Sequence, residues 1–193
     1  MELALVGSSS EDCISLLGDS QSVRMSKIWR KESHRCKLET SCAVSGWTTG
    51  QLKEVLKDRM YLLARVCVLF IAVNDIIKKV PLSVVFKNIK EILNVLKQHK
   101  RLVLFTTLPP ILNCSSEQSE QVRAVNVYIQ SFSTRPSVTV VPFHRLFPPF
   151  ANFNPRYYQL RYYNGRADNV HLSAVGIKAL MEVIDSGYRS LFN

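Results

Sequence analysis

Ser20, Asp168 and His171 have the side-chain types that acyl transfer needs. Ser20 ends the tripeptide Gly18-Asp19-Ser20, directly behind the apolar run 13–17, and Asp168 and His171 stand three apart in Asp168-Asn169-Val170-His171. A serine hydroxyl is a weak nucleophile until a base takes its proton, and an imidazole serves as that base best when a third group holds its tautomer. Ser20 can attack, His171 can take the proton and Asp168 can hold the ring. The oxyanion formed on attack needs donors, which the backbone N–H groups of Ser20 and Gly46 and the side-chain amide of Asn74 can supply. Each residue also has a plain structural role open to it. Ser20 can cap the helix that follows it, Gly46 can serve a turn, Asn74 and Asp75 can cap a crossover, and His171 can be a structural histidine with Asp168 as a cap.

The catalytic reading requires that all these residues reach one place, and the elements between them predict that they do. Residues 13–18 are short and apolar, a buried strand. Residues 20–31 carry a helical pattern with Val23, Ile28 and many cations, and 36–45 alternate as a second strand. The stretch 48–64 spaces Leu52, Val55, Leu56, Met60 and Leu63 as an amphipathic helix. Residues 65–73 form an apolar run suited to a strand covered on both faces. Pro81 falls in the first turn of a helix over 81–100, whose apolar face is Val84, Val85, Ile89, Ile92, Leu93 and Leu96. Strand and turn over 101–110, a helix over 116–131, a strand over 137–143, a Pro- and aromatic-rich loop over 144–167 and a helix over 172–192 complete the chain. Alternating strands and helices predict an α/β domain with a parallel sheet and helices on both faces. In such sheets ligands meet the carboxyl ends of the strands, where all five candidates fall.

Four blocks in order, each behind a strand, resemble the SGNH (GDSL-type) hydrolase family. They are GDS at 18–20, Gly46, AVND at 72–75 in the place of the family's GxND, and DNVH at 168–171 in the place of DxxH. The resemblance runs from residue 13 to about 190. It implies a flavodoxin-like three-layer α/β/α sandwich with a five-stranded parallel sheet. It also implies a serine esterase or acyl hydrolase that cleaves a small ester through an acyl-serine intermediate, without metal or other cofactor. Ser20, Gly46, Asn74, Asp168 and His171 then take the roles above. Two positions depart from the family: Gln21 replaces the usual Leu, and Ala72 replaces the first Gly of GxND.

The chain has 193 residues, 47% of them hydrophobic, which suits one domain over 13–193 behind a loose leader, 1–12. The leader lacks the basic and apolar regions of a signal peptide, and the longest apolar run, 66–73, is too short to span a bilayer. A cytoplasmic protein without a transmembrane segment is the expectation. The five cysteines show no paired spacing; Cys13 and Cys67 lie in apolar runs and read as buried thiols of a reducing compartment. The four histidines show no zinc-ligand spacing with them.

Charge raises a second reading. Lys and Arg number 25 against 15 acids, a net charge of +10, which suggests a polyanionic partner such as RNA. The cations concentrate in two segments. Residues 24–37 hold Arg24, Lys27, Arg30, Lys31, Arg35 and Lys37 beside Trp29. Residues 154–166 interleave Arg156, Arg161 and Arg166 with Tyr157, Tyr158, Tyr162 and Tyr163. Arginines among aromatic rings are the means by which single-stranded nucleic acid is held; the alternative is a solvated basic face with the tyrosines packed beneath the loop. The basic character is similar to that of the SGNH-like domain of insect Oskar proteins, which is thought to bind RNA and has lost its active-site residues. This chain keeps the complete triad, so an esterase is the first expectation and a non-catalytic RNA-binding module the second.

Overall fold

Five short apolar segments lie side by side as one all-parallel sheet. They are β1 (Cys13–Gly18), β2 (Lys37–Ala43), β3 (Val66–Phe70), β4 (Leu102–Thr106) and β5 (Val138–Val141), in the spatial order β2-β1-β3-β4-β5. The computed structural model describes residues 13–31, 36–147, 155–161, 165, 167–168 and 170–192. The leader 1–12 lies outside them. β3, at the centre, is buried at every position, as a strand covered on both faces must be. β2, at the edge, has exposed positions along its length.

The helices form the outer layers. α1 (Ser20–Trp29) and α6 (Ala174–Ser190) pack together on one face, while α2 (Thr49–Arg59), α4 (Leu82–Gln98) and α5 (Ser116–Gln130) cover the other. A short α3 (Val73–Ile77) follows β3. The result is the three-layer α/β/α arrangement that the motif order implies.

The structure corrects several details of the sequence reading. The α2 helix stops at Arg59, and a single 3-10 turn, Met60–Leu62, continues the chain. Met60 and Leu63 stay buried across that change, which is why the apolar spacing runs on to residue 64. On α4, Val85, Ile89, Ile92, Leu93 and Leu96 are buried, but Val84 is 43% exposed. Pro81 is the N-cap of that helix, not part of its first turn. The run 65–73 leaves the sheet at Phe70, and Ile71, Ala72 and Val73 are buried in the turn that follows. The segment 144–167 is not a plain loop, since 3-10 turns occupy Phe143–Leu146 and Pro155–Tyr157. Cys67 is buried, Cys13 only half so, and all five cysteines are free thiols. No described helix is long and apolar enough to cross a membrane.

Register sets the rim of the sheet. Gly18 pairs with Ala43 on one side and Phe70 on the other, so β1, β2 and β3 end level. The chain runs outward from β1 to β2, then crosses back to β3 and on to β4 and β5. The crevice at that reversal is where α/β sheets place their ligands, and Ser20 and Asn74 leave the sheet on its two sides.

Candidate active site

Ser20 is the first residue of α1, but it is not the cap. Asp19 is the N-cap, and its Oδ1 accepts the Gln21 N–H at 3.0 Å. The hydroxyl of Ser20 is therefore not engaged in capping, and it meets His171 Nε2 at 3.0 Å. The other ring nitrogen, Nδ1, lies 3.0 Å from Asp168 Oδ1 and 2.9 Å from Oδ2. An ionised carboxylate only accepts, so Nδ1 carries the proton and Nε2 is left as the acceptor for the Ser20 O–H. Asp168 is buried at 1% exposure, and its Oδ1 also accepts the N–H of Val170 at 3.2 Å and of His171 at 3.0 Å. Those local bonds fix the carboxylate before it meets the ring.

Gly46 and Asn74 arrive from the neighbouring strand ends. Gly46 has φ of +84° in a turn that Trp47 N–H closes on Val44 O at 3.2 Å. Asn74 Nδ2 donates to Trp47 O at 3.0 Å and, more weakly, to Asp19 Oδ2 at 3.4 Å. Lys78, one turn further along, donates to Gly46 O at 2.7 Å. Two residues of the α3 segment thus pin the glycine turn beside Ser20. Asp75 has a structural part: fully buried, it accepts Thr49 N–H at 2.9 Å and Thr49 Oγ1 at 2.7 Å, tying α2 to α3. Ala72 has φ of +102°, where an L side chain costs about 1–2 kcal/mol. Its buried methyl returns about 0.8 kcal/mol, and its stiffer unfolded chain a further few tenths or more relative to Gly. The sum is close to neutral, and Asn74 still reaches the rim.

Gln21, in sequence only a departure from the family's Leu, has a part in the site that spacing does not show. Its Nε2 donates to Val170 O at 2.9 Å and its Oε1 accepts Leu172 N–H at 3.3 Å. The buried amide straddles His171 and fastens its loop to α1. The only available signal was a polar residue at a position where the family is apolar.

Burial pushes the Asp19 carboxyl up to about 7; the Gln21 N–H opposes that rise, and the nearby Asp75 charge adds to it. The ordinary value is 3.8, so between about pH 4 and 7 the folded protein holds a proton that the unfolded chain releases. Stability from this group is fully present below about pH 4 and is lost as pH rises through 7, by an amount on the order of 4 kcal/mol. Asp19→Asn keeps the capping oxygen and removes the titration. Melting temperatures from pH 4.5 to 8 should fall less steeply for the variant than for the parent; parallel curves would refute the assignment.

Of the basic residues singled out, Arg24 lines the Ser20 cleft and Lys27 lies exposed at it. Arg30 and Lys31, at the end of α1, are exposed, as are Arg156 and Arg161. Arg35 and Arg166 lie outside the described residues, with Tyr162 and Tyr163. The two basic segments meet: Arg24 Nη1 donates to Gln159 Oε1 at 2.5 Å. The aromatic half of the nucleic-acid pattern is corrected at three positions. Trp29 is 3% exposed and gives its N–H to Cys36 O at 3.0 Å. Tyr158 is equally buried, with its hydroxyl on Pro110 O at 2.6 Å. Tyr157, half-buried, packs edge-on against Phe147. These rings serve the core, not a base stack. Among the described residues no group of three or more His, Cys, Asp or Glu is arranged to hold a metal ion.

A serine, a histidine and an aspartate hydrogen-bonded in series on the carboxyl rim of a parallel sheet define the class, an α/β acylhydrolase scaffold. The chain belongs to the GDSL-like lipase/acylhydrolase family, whose model matches residues 16–179. Its fold is similar to that of a GDSL-like lipase from Bacteroides thetaiotaomicron, with TM-score 0.75, 18% identity, and coverage of 93% of this chain and 89% of that one. It is similar also to the OSK domain of Drosophila Oskar, with TM-score 0.69, 17% identity, and coverage of 89% and 86%. A third similar structure is the catalytic domain of Streptococcus pneumoniae peptidoglycan O-acetyltransferase A, with TM-score 0.66, 16% identity, and coverage of 93% and 94%. No curated protein sequence matches the chain significantly.

Proposed function

We propose that the chain is a serine esterase that hydrolyses small esters through an acyl-serine intermediate. The observation that carries this is the continuous chain from Ser20 Oγ to His171 Nε2 at 3.0 Å and from Nδ1 to Asp168 at 2.9 Å. Ser20 Oγ attacks the ester carbonyl as its proton passes to Nε2. The Ser20 and Gly46 N–H groups and one Asn74 N–H receive the oxyanion; the long Asn74 contact to Asp19 is the one it replaces. The imidazolium protonates the departing alkoxide, leaving the acyl group on Ser20. Water, giving its proton to His171, then releases the acid and restores the serine.

A fluorophosphonate probe tests the nucleophile directly. The folded wild type should be labelled stoichiometrically, and Ser20→Ala should not be labelled at all. A folded wild type that resists the probe, or a variant that still takes it, overturns the reading.

One observation favours a second reading, a non-catalytic RNA-binding module. Lys27 on α1 and Arg30 and Lys31 just beyond its end are exposed, with no carboxylate partner among the described residues. Binding of this kind weakens steeply with salt, whereas probe labelling at Ser20 depends on the nucleophile and its base.

A further inference from the structure

Residues three, four, seven and eight places after Ser20 share its face of α1, because 3.6 residues complete a turn. They are Val23, Arg24, Lys27 and Ile28, and they line one cleft with Ser20, about 480 Å³ in volume. No Asp or Glu is among the described residues that line it. Arg24 is held in place. Its Nη1 donates to Gln159 Oε1 at 2.5 Å and to Leu172 O at 3.4 Å, and Gln159 N–H in turn donates to His171 O at 2.8 Å. The guanidinium is thus pinned to the segment that carries His171. Both acceptors are neutral, so its charge is positioned without being neutralised, and both bonds use Nη1. The fork of Nη2 and Nε is left for a ligand, and a guanidinium fork matches a carboxylate or a phosphate. At 1.5 Å rise per residue, Arg24 lies about 6 Å and Lys27 about 10 Å along α1 from Ser20.

We infer that the Ser20 cleft takes esters that carry an anionic group, a carboxylate or a phosphate, roughly 6 Å beyond the scissile carbonyl, with Arg24 as its main partner and Lys27 at the mouth. The inference rests on Ser20 as the nucleophile only for the position of the carbonyl. A neutral acyl chain of the same length would leave Arg24 facing methylene groups. The anion instead replaces its lost hydration with charge-assisted hydrogen bonds, worth about a tenfold gain in affinity.

Binding of uncleaved analogues tests this without requiring turnover. Adipamate carries a carboxylate at the far end of the chain, hexanamide is its neutral counterpart, and 5-phosphonopentanamide replaces the carboxylate with a phosphonate. In NMR titrations of the full chain, adipamate or the phosphonate should bind about tenfold more tightly than hexanamide, and the tighter of the two identifies the anion. Arg24→Gln should reduce that preference to threefold or less. Because Arg24 also supports Gln159, Lys27→Gln serves as the second variant and should reduce it by about half. Equal affinity for adipamate, the phosphonate and hexanamide overturns the inference, as does a preference that survives both variants. A preference present in a protein that the fluorophosphonate does not label sinks the esterase reading and leaves the anion site standing.

Discussion

Asp168→Asn should lower the turnover of a 4-nitrophenyl ester by about 10⁴-fold with the fold intact. Asp168 Oδ1 is already committed, since it accepts the N–H groups of Val170 and His171. In the variant the amide oxygen must keep that position, because an amide nitrogen there would oppose two donors. The NH₂ group then takes the place of Oδ2, now 2.9 Å from His171 Nδ1. It donates to Nδ1; Oδ1 also lies 3.0 Å from Nδ1 but already accepts two backbone N–H groups, so the tautomer shifts to Nε2–H. That nitrogen points at Ser20 Oγ from 3.0 Å and can no longer accept the hydroxyl proton. Nothing else changes in size or shape. Ser20→Ala and His171→Ala should cost as much or more, and combining either with Asp168→Asn should add little, because the three act as a unit. Steady-state kinetics beside thermal melts decide the matter. Turnover near that of the wild type, with an unchanged melt, would mean that the hydrogen-bonded series is structural only.

The parts legible in the sequence are those whose signal is local. Gly18-Asp19-Ser20 and Asp168-Asn169-Val170-His171 each lie within one turn, so spacing alone identifies them. Their meeting across 151 residues follows from the parallel topology, which the alternation of strand and helix also carries. What stayed hidden depends on contacts between distant segments. Whether Asp19 or Ser20 caps α1 depends on the direction in which the hydroxyl turns once His171 is present. Gln21 holds the His171 loop, Lys78 holds Gly46 and Gln159 holds Arg24, and each bond links elements that sequence spacing does not relate. The tyrosines were ambiguous for a similar reason. Arg-Tyr interleaving suits a stacking surface or a packed loop equally, and only the place of Phe147 and Pro110 beneath Tyr157 and Tyr158 settles it for that pair. Element ends are illegible where burial outlasts regular structure, at Met60 and Leu63 after α2 and at Ile71 and Ala72 after β3.

Gly18→Ala should destabilise the protein by at least about 4 kcal/mol, a large part of the roughly 5–15 kcal/mol that holds a typical domain folded. Gly18 ends β1 with φ of +146°, and a Cβ there would lie 1.8 Å from Phe70 O, 2.8 Å from Phe70 C and 2.7 Å from Ser22 Oγ. The first two atoms are backbone of β3, the strand at the centre of the sheet, and cannot swing aside like a side chain. Relief would require parting β1 from β3 at the rim, breaking the Asp19 N–H bond to Phe70 O and moving Ser20 with it. Gly46 gives the internal comparison. Its φ of +84° also disfavours an L residue, but nothing lies within 4 Å of a Cβ added there. Gly46→Ala therefore carries only the conformational cost, about 1–2 kcal/mol. Urea unfolding of the two variants separates close approach from backbone strain. If Gly18→Ala proves no less stable than Gly46→Ala, the tight β1–β3 contact is not what fixes the serine at the rim. If it unfolds as expected, the glycine of the GDS block is there to let two strands close beneath the nucleophile, and its chemical role is entirely indirect.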